Sequence, residues 1–130
     1  MRLTIFHNPE PEPLWENSLI KLIHPFSYDA LTQLGDVHVA VFNDGVVGIS
    51  VSKDNEIIYL KVRDITRRRG VGKYLIEETV KFVTKAQNIV TINIKNFPSQ
   101  EVDGLIYFLE MQGFIQDKNY SDLYVFSSND

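Results

Sequence analysis

A basic loop with two glycines contains the residues whose types and spacing could do chemistry. It reads Arg67-Arg68-Arg69-Gly70-Val71-Gly72-Lys73 and follows an apolar segment that ends at Val62. A strand followed by a glycine loop and the start of a helix presents unpaired backbone N–H groups and the positive end of a helix dipole. Because the glycines leave the backbone accessible and the arginines add positive potential, the expected ligand is a phosphate group.

Three phosphate-binding patterns can be compared with this loop. A Walker-type loop needs a glycine where the chain has Arg67 and a hydroxyl residue where it has Tyr74. A dinucleotide fingerprint needs its third glycine where the chain has Leu75. Residues 67–72 meet the third pattern, Arg/Gln-x-x-Gly-x-Gly, in full. The alternative without a ligand is a basic, solvated turn in which Gly70 begins a helix.

Hydrophobic periodicity predicts the elements that must position the loop. A strand from Glu56 to Val62 precedes it, and a helix from Val71 to Ala86 follows it, with apolar residues recurring at intervals of three and four. Asn43-Asp44-Gly45 predicts a tight hairpin turn between two strands, Val37 to Phe42 and Val46 to Ser52. The other predicted strands cover residues 2–6, Ile89 to Ile94, Phe114 to Lys118 and Asp122 to Phe126. The other predicted helices run from Pro13 to Ile23, from a cap at Ser27 to near Gly35, and from a cap at Ser99 or Asp103 to Met111.

These elements predict an α+β fold with a mixed, largely antiparallel sheet of six or seven strands and helices on both faces. The strand at Ile89 is expected to run parallel to the strand ending at Val62, because a loop and a helix connect the two. The 130 residues, 44% of them hydrophobic, suit a single domain over residues 1–130.

Composition excludes several classes of function. The chain has no cysteine, and its three histidines lack metal-ligand spacing, so no metal site is expected. The net charge of −4 disfavours binding to nucleic acid. There is no apolar run of about 20 residues and no signal-type N-terminus, so a soluble cytoplasmic protein without a membrane partner is expected.

The order of loop, helix, parallel strand and a final helix ending in Glu110-Met111-Gln112-Gly113-Phe114 resembles the GCN5-related N-acetyltransferases (GNAT) from about Val37 to Phe126. The resemblance implies a three-layer acyl-CoA N-acyltransferase fold that uses acetyl-CoA as co-substrate. It also implies that the backbones of Leu60 and Val62 contact the pantetheine arm. The loop residues Arg67, Arg68, Arg69, Gly70, Val71, Gly72 and Lys73 would bind the phosphates.

The resemblance further suggests the catalytic groups. Glu56 lies eleven residues before Arg67, the position of the general base in the histone-acetyltransferase branch, and simple alternation would place it on one strand face with Ile58, Leu60 and Val62. The alternative is an exposed glutamate that begins a strand. The family's general-acid tyrosine corresponds to Leu109, and Tyr107, two positions away, is expected to pack.

The predicted activity is direct transfer of the acetyl group to a primary amine of a small molecule or peptide, without metal. The alternative is a non-catalytic acetyl-CoA-binding or protein-interaction module, which the leucine at position 109 favours. The acidic surface favours cationic acceptors. The region from Leu14 to Leu34 is short for the family, which leaves an open acceptor site or one completed by the second subunit of a homodimer.

Four residues outside the loop have two interpretations each. His38 alternates on a strand and is either a surface or hydrogen-bonded structural histidine or a catalytic one. Trp15, Phe26 and Tyr28 either line an acceptor pocket or pack in the core.

Overall fold

The computed structural model describes residues 3–63 and 70–127. Its strands are β1 (Thr4–His7), β2 (Asp36–Phe42), β3 (Gly45–Lys53), β4 (Glu56–Val62), β5 (Ile89–Asn93), β6 (Ile115–Gln116) and β7 (Leu123–Ser127). Its α-helices are α1 (Glu16–Ile23), α2 (Tyr28–Leu34), α3 (Val71–Thr84) and α4 (Val102–Met111). Short 3-10 turns span Pro13–Trp15, Ile94–Asn96 and Ser99–Glu101.

The strands form one seven-stranded sheet in the order β1-β2-β3-β4-β5-β7-β6. Neighbouring strands are antiparallel except β4 and β5, which are parallel. Asn43 and Asp44 take positive φ angles of 53° and 61°, the left-handed conformation that a two-residue hairpin turn requires. The mixed, largely antiparallel sheet and its parallel β4–β5 pair are therefore confirmed.

Helices cover both faces of the sheet. Trp15, Leu19 and Leu31 from the N-terminal segment pack on one face, against β2 and β3. On the opposite face, Val71 and Leu75 of α3 pack against Ala40 of β2 and Val47 of β3. A third cluster joins α3, α4 and β5. These three clusters of buried apolar side chains supply the hydrophobic driving force for the fold.

Two helix starts test the predicted caps. The hydroxyl oxygen of Ser27 accepts a hydrogen bond from the backbone N–H of Ala30 at 3.1 Å, so the predicted cap of α2 is confirmed. The predicted cap of α4 is wrong at both candidate positions. Ser99 lies in a 3-10 turn and Asp103 lies inside the helix, whose N-cap is Glu101 without a side-chain capping bond. The chain enters α4 through a continuous turn, which leaves no extended residue to act as a cap.

A bulge in β4 corrects the predicted strand alternation. Ser52 pairs with Ile57 and Val51 pairs with Tyr59, so Ile58 is an extra residue in the ladder. As a result Ile57 and Leu60 pack in the same cluster. Glu56, which alternates with Ile57, therefore lies on the face opposite Leu60, and the predicted shared face is wrong.

Candidate functional site

The two parallel strands separate soon after they meet. Their ladder consists of the pairs Glu56 with Thr91 and Ile57 with Ile92. Beyond Ile57, β4 continues for five residues to Val62, while β5 ends at Asn93 and turns into the 3-10 segment Ile94–Asn96. The second half of β4 thus borders a wedge that α4 and the turn before it flank.

A groove of about 380 Å³ lies in this wedge. Its lining is mostly apolar and comprises Leu60, Lys61, Val62, Gly72, Phe97, Gln100, Glu101, Gly104, Leu105 and Phe108. A Cβ atom on Gly72 would lie 3.5 Å from the Phe108 ring and 3.7 Å from Val62, so the glycine leaves space between α3 and α4. An elongated, largely apolar ligand with a few polar groups suits such a groove.

The N-terminus of α3 lies at one end of the groove. Gly70 takes φ +77°, a left-handed conformation that favours glycine, and its carbonyl accepts the N–H of Tyr74 at 3.0 Å. The first N–H groups of a helix have no partner within the helix. In a helix of 14 residues, those of Val71, Gly72 and Lys73 form an anion-binding end.

The predicted acetyl-CoA-binding residues fall into four groups. Leu60, Val62 and Gly72 line the groove, and Gly70 and Val71 begin the helix at its end. Lys73 is exposed in the first turn of that helix. Arg67, Arg68 and Arg69 lie outside the described residues. Binding of acetyl-CoA by all nine residues stays a prediction.

Glu56 lies away from the groove. It begins β4, six residues and roughly 20 Å of extended strand from Val62. Its carboxylate accepts a hydrogen bond from the side-chain amide of Asn96 at 3.3 Å. Glu56 does not line the groove in the described part of the chain, so its role as general base stays a prediction that the geometry does not favour.

Glu101 is the carboxylate that lines the groove among the described residues. Burial, and then the negative charge of Glu101, raise the pKa of Tyr59 on β4. The sequence prediction overlooked Glu101, since its position depends on where α4 packs. The available signal was an acidic residue at the start of the last helix.

No tyrosine occupies the position of the family's general acid. Leu109 is fully buried, within the cluster formed by α3, α4 and β5. The prediction that Tyr107 packs is wrong, because this side chain is 68% exposed. The two positions are about 200° apart on the helix, so burial of Leu109 turns Tyr107 toward solvent.

The aromatic residues near α1 separate into core and surface. Trp15 is buried in the core, and the hydroxyl of half-buried Tyr28 donates to the Pro9 carbonyl at 2.6 Å. Phe26 is 51% exposed, and its ring meets the edge of Tyr59 at 5.9 Å between centroids. The core interpretation is right for Trp15 and for Tyr28, which packs against the same core cluster, and wrong for Phe26, which is half exposed.

His38 is a satisfied, buried histidine. Its Nδ1 lies 2.8 Å from Nδ1 of His7, and its Nε2 lies 2.8 Å from the hydroxyl of Ser52. Burial, and then the neighbouring His7, lower the pKa of His38 to about 4. The structure therefore supports the interpretation of His38 as a histidine whose hydrogen bonds are satisfied in the fold.

Neither a metal site nor a membrane span is found in residues 3–63 and 70–127. No three His, Asp or Glu side chains there are grouped so that they could hold a metal ion. None of the helices described is long and apolar enough to cross a membrane.

The fold matches those of solved protein structures. The solution NMR structure of E. coli YhhK bound to coenzyme A is 23% identical, with a TM-score of 0.73 over 98% of this chain and 100% of that one. A GNAT family acetyltransferase from Elizabethkingia anophelis with acetyl-CoA bound is 17% identical, with a TM-score of 0.65 over 96% of this chain and 97% of that one. At these identities, the likeness shows the fold.

Sequence comparison identifies the family. The PanD regulatory factor of Salmonella typhimurium strain LT2 is 43% identical over 49 residues, which are 35% of this chain. The match spans about two fifths (39%) of the length of that relative. The family model for the PanZ acetyltransferase (GNAT) domain matches residues 21–122, most of the chain. The chain therefore belongs to the PanZ family of GNAT acetyltransferase domains.

Proposed function

We propose that this protein binds acetyl-CoA in the groove between β4 and α4 and acts by regulating a protein partner of the PanD kind. The observation that carries the regulatory role is the full burial of Leu109, which leaves the groove without a tyrosine at the general-acid position. The partner is suggested by the relative that is named a PanD regulatory factor.

Binding of acetyl-CoA is supported by the shape and polarity of the wedge. The apolar lining around Leu60, Leu105 and Phe108 suits a pantetheine arm, and the start of α3 at Gly70 offers N–H groups to a pyrophosphate. Bound CoA would thus extend from the start of α3 along the splayed half of β4.

The second candidate is acetyl transfer to a primary amine of a small molecule or peptide. It is favoured by Glu101, a carboxylate at the groove that could accept a proton from the attacking amine. A thiolate with a pKa near 8.5 leaves without much help from an acid, so the burial of Leu109 does not by itself prevent transfer.

Two measurements on the purified protein separate the candidates. The first records release of free thiol from acetyl-CoA across a panel of amines. The second uses calorimetry to measure binding of the PanD protein from the same organism, with and without acetyl-CoA. We expect PanD binding and no acceptor-dependent thiol release. Release that increases with an amine, together with no binding of PanD, would overturn the regulatory proposal.

A matched pair of variants tests the second candidate directly. Glu101→Gln removes the carboxylate at the groove, and Glu110→Gln removes an exposed carboxylate at the far end of the same helix. Acetyl transfer with Glu101 as base requires thiol release to fall at least tenfold in the first variant and to stay unchanged in the second.

A further inference from the structure

A second cavity, of about 430 Å³, lies on the α1 side of β4. It is lined by Asn17, Ser18, Lys21, Leu22, Lys61, Val62 and Arg63. The hydroxyl of Ser18 is already engaged, because it donates to the Trp15 carbonyl and accepts the N–H of Val46. The side chains of Asn17, Lys21 and Lys61 add an amide and two ammonium groups to this lining.

The described lining of this cavity is opposite in charge to the protein as a whole. The chain has a net charge of −4, yet the described lining residues include three cations and no carboxylate. Lys21 lies in the last turn of α1, where a positive charge also stabilises the helix dipole. Lys61 lies in β4, so the helix dipole gives no reason for its charge.

The cavity and the groove share two lining residues of β4. Lys61 and Val62 line both, so a ligand in either space touches the same strand segment. The backbone N–H of Arg63 donates to the Val47 carbonyl at 2.8 Å, which fixes the end of this segment against β3. Two ligands in the two spaces would thus meet at one short, anchored stretch of backbone.

We propose that the cavity between α1 and β4 binds the anionic group, a carboxylate or a phosphate, of a second ligand while CoA occupies the groove. Lys21 and Lys61 approach such a group from two different elements, and Asn17 can donate a further hydrogen bond. An acceptor or partner that carries an acidic group beside its reactive or contacting part fits this site. The cationic acceptors that the acidic net charge favours do not fit this site. Only the claim that both ligands bind at the same time rests on the proposed CoA site.

The test is an NMR titration of the ¹⁵N-labelled full chain at constant ionic strength, without CoA and with saturating CoA. Inorganic phosphate and succinate serve as separate probes. We expect saturable amide shifts at Asn17, Lys21 and Lys61 with at least one probe in both conditions. Stronger binding of phosphate assigns the site to a phosphoryl group, and stronger binding of succinate assigns it to a carboxylate.

Variants that each remove one positive charge show which residues bind the probe. We expect Lys21→Gln and Lys61→Gln to weaken probe binding at least fivefold each, and Lys118→Gln, a change at an exposed residue between β6 and β7, to leave it unchanged. Equal weakening by all three variants, or no saturable shift near α1, would overturn the proposal. Displacement of the probe by CoA would overturn simultaneous occupancy. Failure of CoA itself to bind would instead contradict the proposed function. The anion site would still be tested by the titration without CoA.

Discussion

The Nδ1 atoms of His7 and His38 lie 2.8 Å apart, so one imidazole donates its proton to the other across the β1–β2 pair. Both rings also lie against Phe82 of α3, with centroid separations of 5.0 Å and 4.7 Å. The hydrogen bond requires one unprotonated nitrogen, which full protonation of both rings would remove. Edge strand β1 is therefore held to the sheet and to α3 by a contact that depends on pH.

Stability is expected to fall on acidification through the ordinary histidine pKa. Burial lowers the pKa of both rings, that of His38 from 6.5 to about 4. Between these values the unfolded chain binds more protons than the folded one, so the free energy of unfolding decreases as the pH falls from about 6.5 toward 4. Urea denaturation at a series of pH values should show a loss of about 2 kcal/mol from His38 at pH 5.

Substitutions test whether His38 causes this pH dependence of stability. His38→Gln should reduce the slope between pH 6.5 and 4, whereas His24→Gln, at an exposed residue after α1, should retain it. The charges nearest the pair, Lys85, Glu78 and Asp36, are unchanged in both variants. An unaltered slope in His38→Gln would refute the assignment.

Substitution of Gly72 should affect ligand binding, and substitution of Gly48 should affect stability. A methyl group at Gly72 makes ordinary contacts of 3.5 Å or more but occupies the groove, so Gly72→Ala should weaken CoA about tenfold and leave unfolding nearly unchanged. A methyl group at Gly48 would lie 3.1 Å from Leu75, beneath α3. Gly48→Ala should cost roughly 1–2 kcal/mol of stability with CoA affinity preserved.

Calorimetry with CoA and chemical denaturation of both variants check this contrast. Equal CoA affinity in Gly72→Ala and the native chain would show that the donor does not pass between α3 and α4.

Leu109 is expected to be a structural residue. It is fully buried among Ile76, Ile92 and Phe114, so Leu109→Ala should destabilise the fold by about 3 kcal/mol through lost burial and a residual cavity. Tyr107→Phe, at an exposed position on the same helix, should leave stability and CoA binding unchanged. A rise in thiol release in the alanine variant would contradict this role.

A buried hydroxyl pair should respond unequally to removal of either partner. Thr79 donates to the Leu75 carbonyl at 2.7 Å, so in its 2.7 Å contact with Ser50 the serine is the donor. Thr79→Val would leave the Ser50 hydroxyl buried without an acceptor and should cost about 2 kcal/mol. Ser50→Ala leaves Thr79 bonded and should cost less than half as much in urea denaturation; equal losses would reverse the assigned direction.

The sequence predicts the sheet well because its turns and periodicities are local. The bounds of β4 agree with the prediction, and the Asn43-Asp44 turn fixes the β2–β3 hairpin. The predicted helix from Pro13 is divided into a 3-10 turn and α1, and β6 has two residues where five were expected. Such ends depend on tertiary packing, which local patterns do not contain.

The site is harder to predict for the same reason. Regular alternation along β4 predicts one face for Glu56 and Leu60, and the extra residue at Ile58 places them on opposite faces. Glu101 lines the groove because of where α4 packs, and Lys21 and Lys61 line one cavity because of where α1 packs. Contacts between distant segments carry no periodic signal.

The two-pair ladder between β4 and β5 also has a mechanical meaning. It divides the sheet into a four-stranded block and a three-stranded block whose backbones are bonded along a short seam. A molecule lying in the wedge touches β4 on one side and α4 on the other. Its binding free energy therefore adds to the work needed to separate the two blocks. A ligand in the wedge is thus expected to stabilise the junction between β4 and β5.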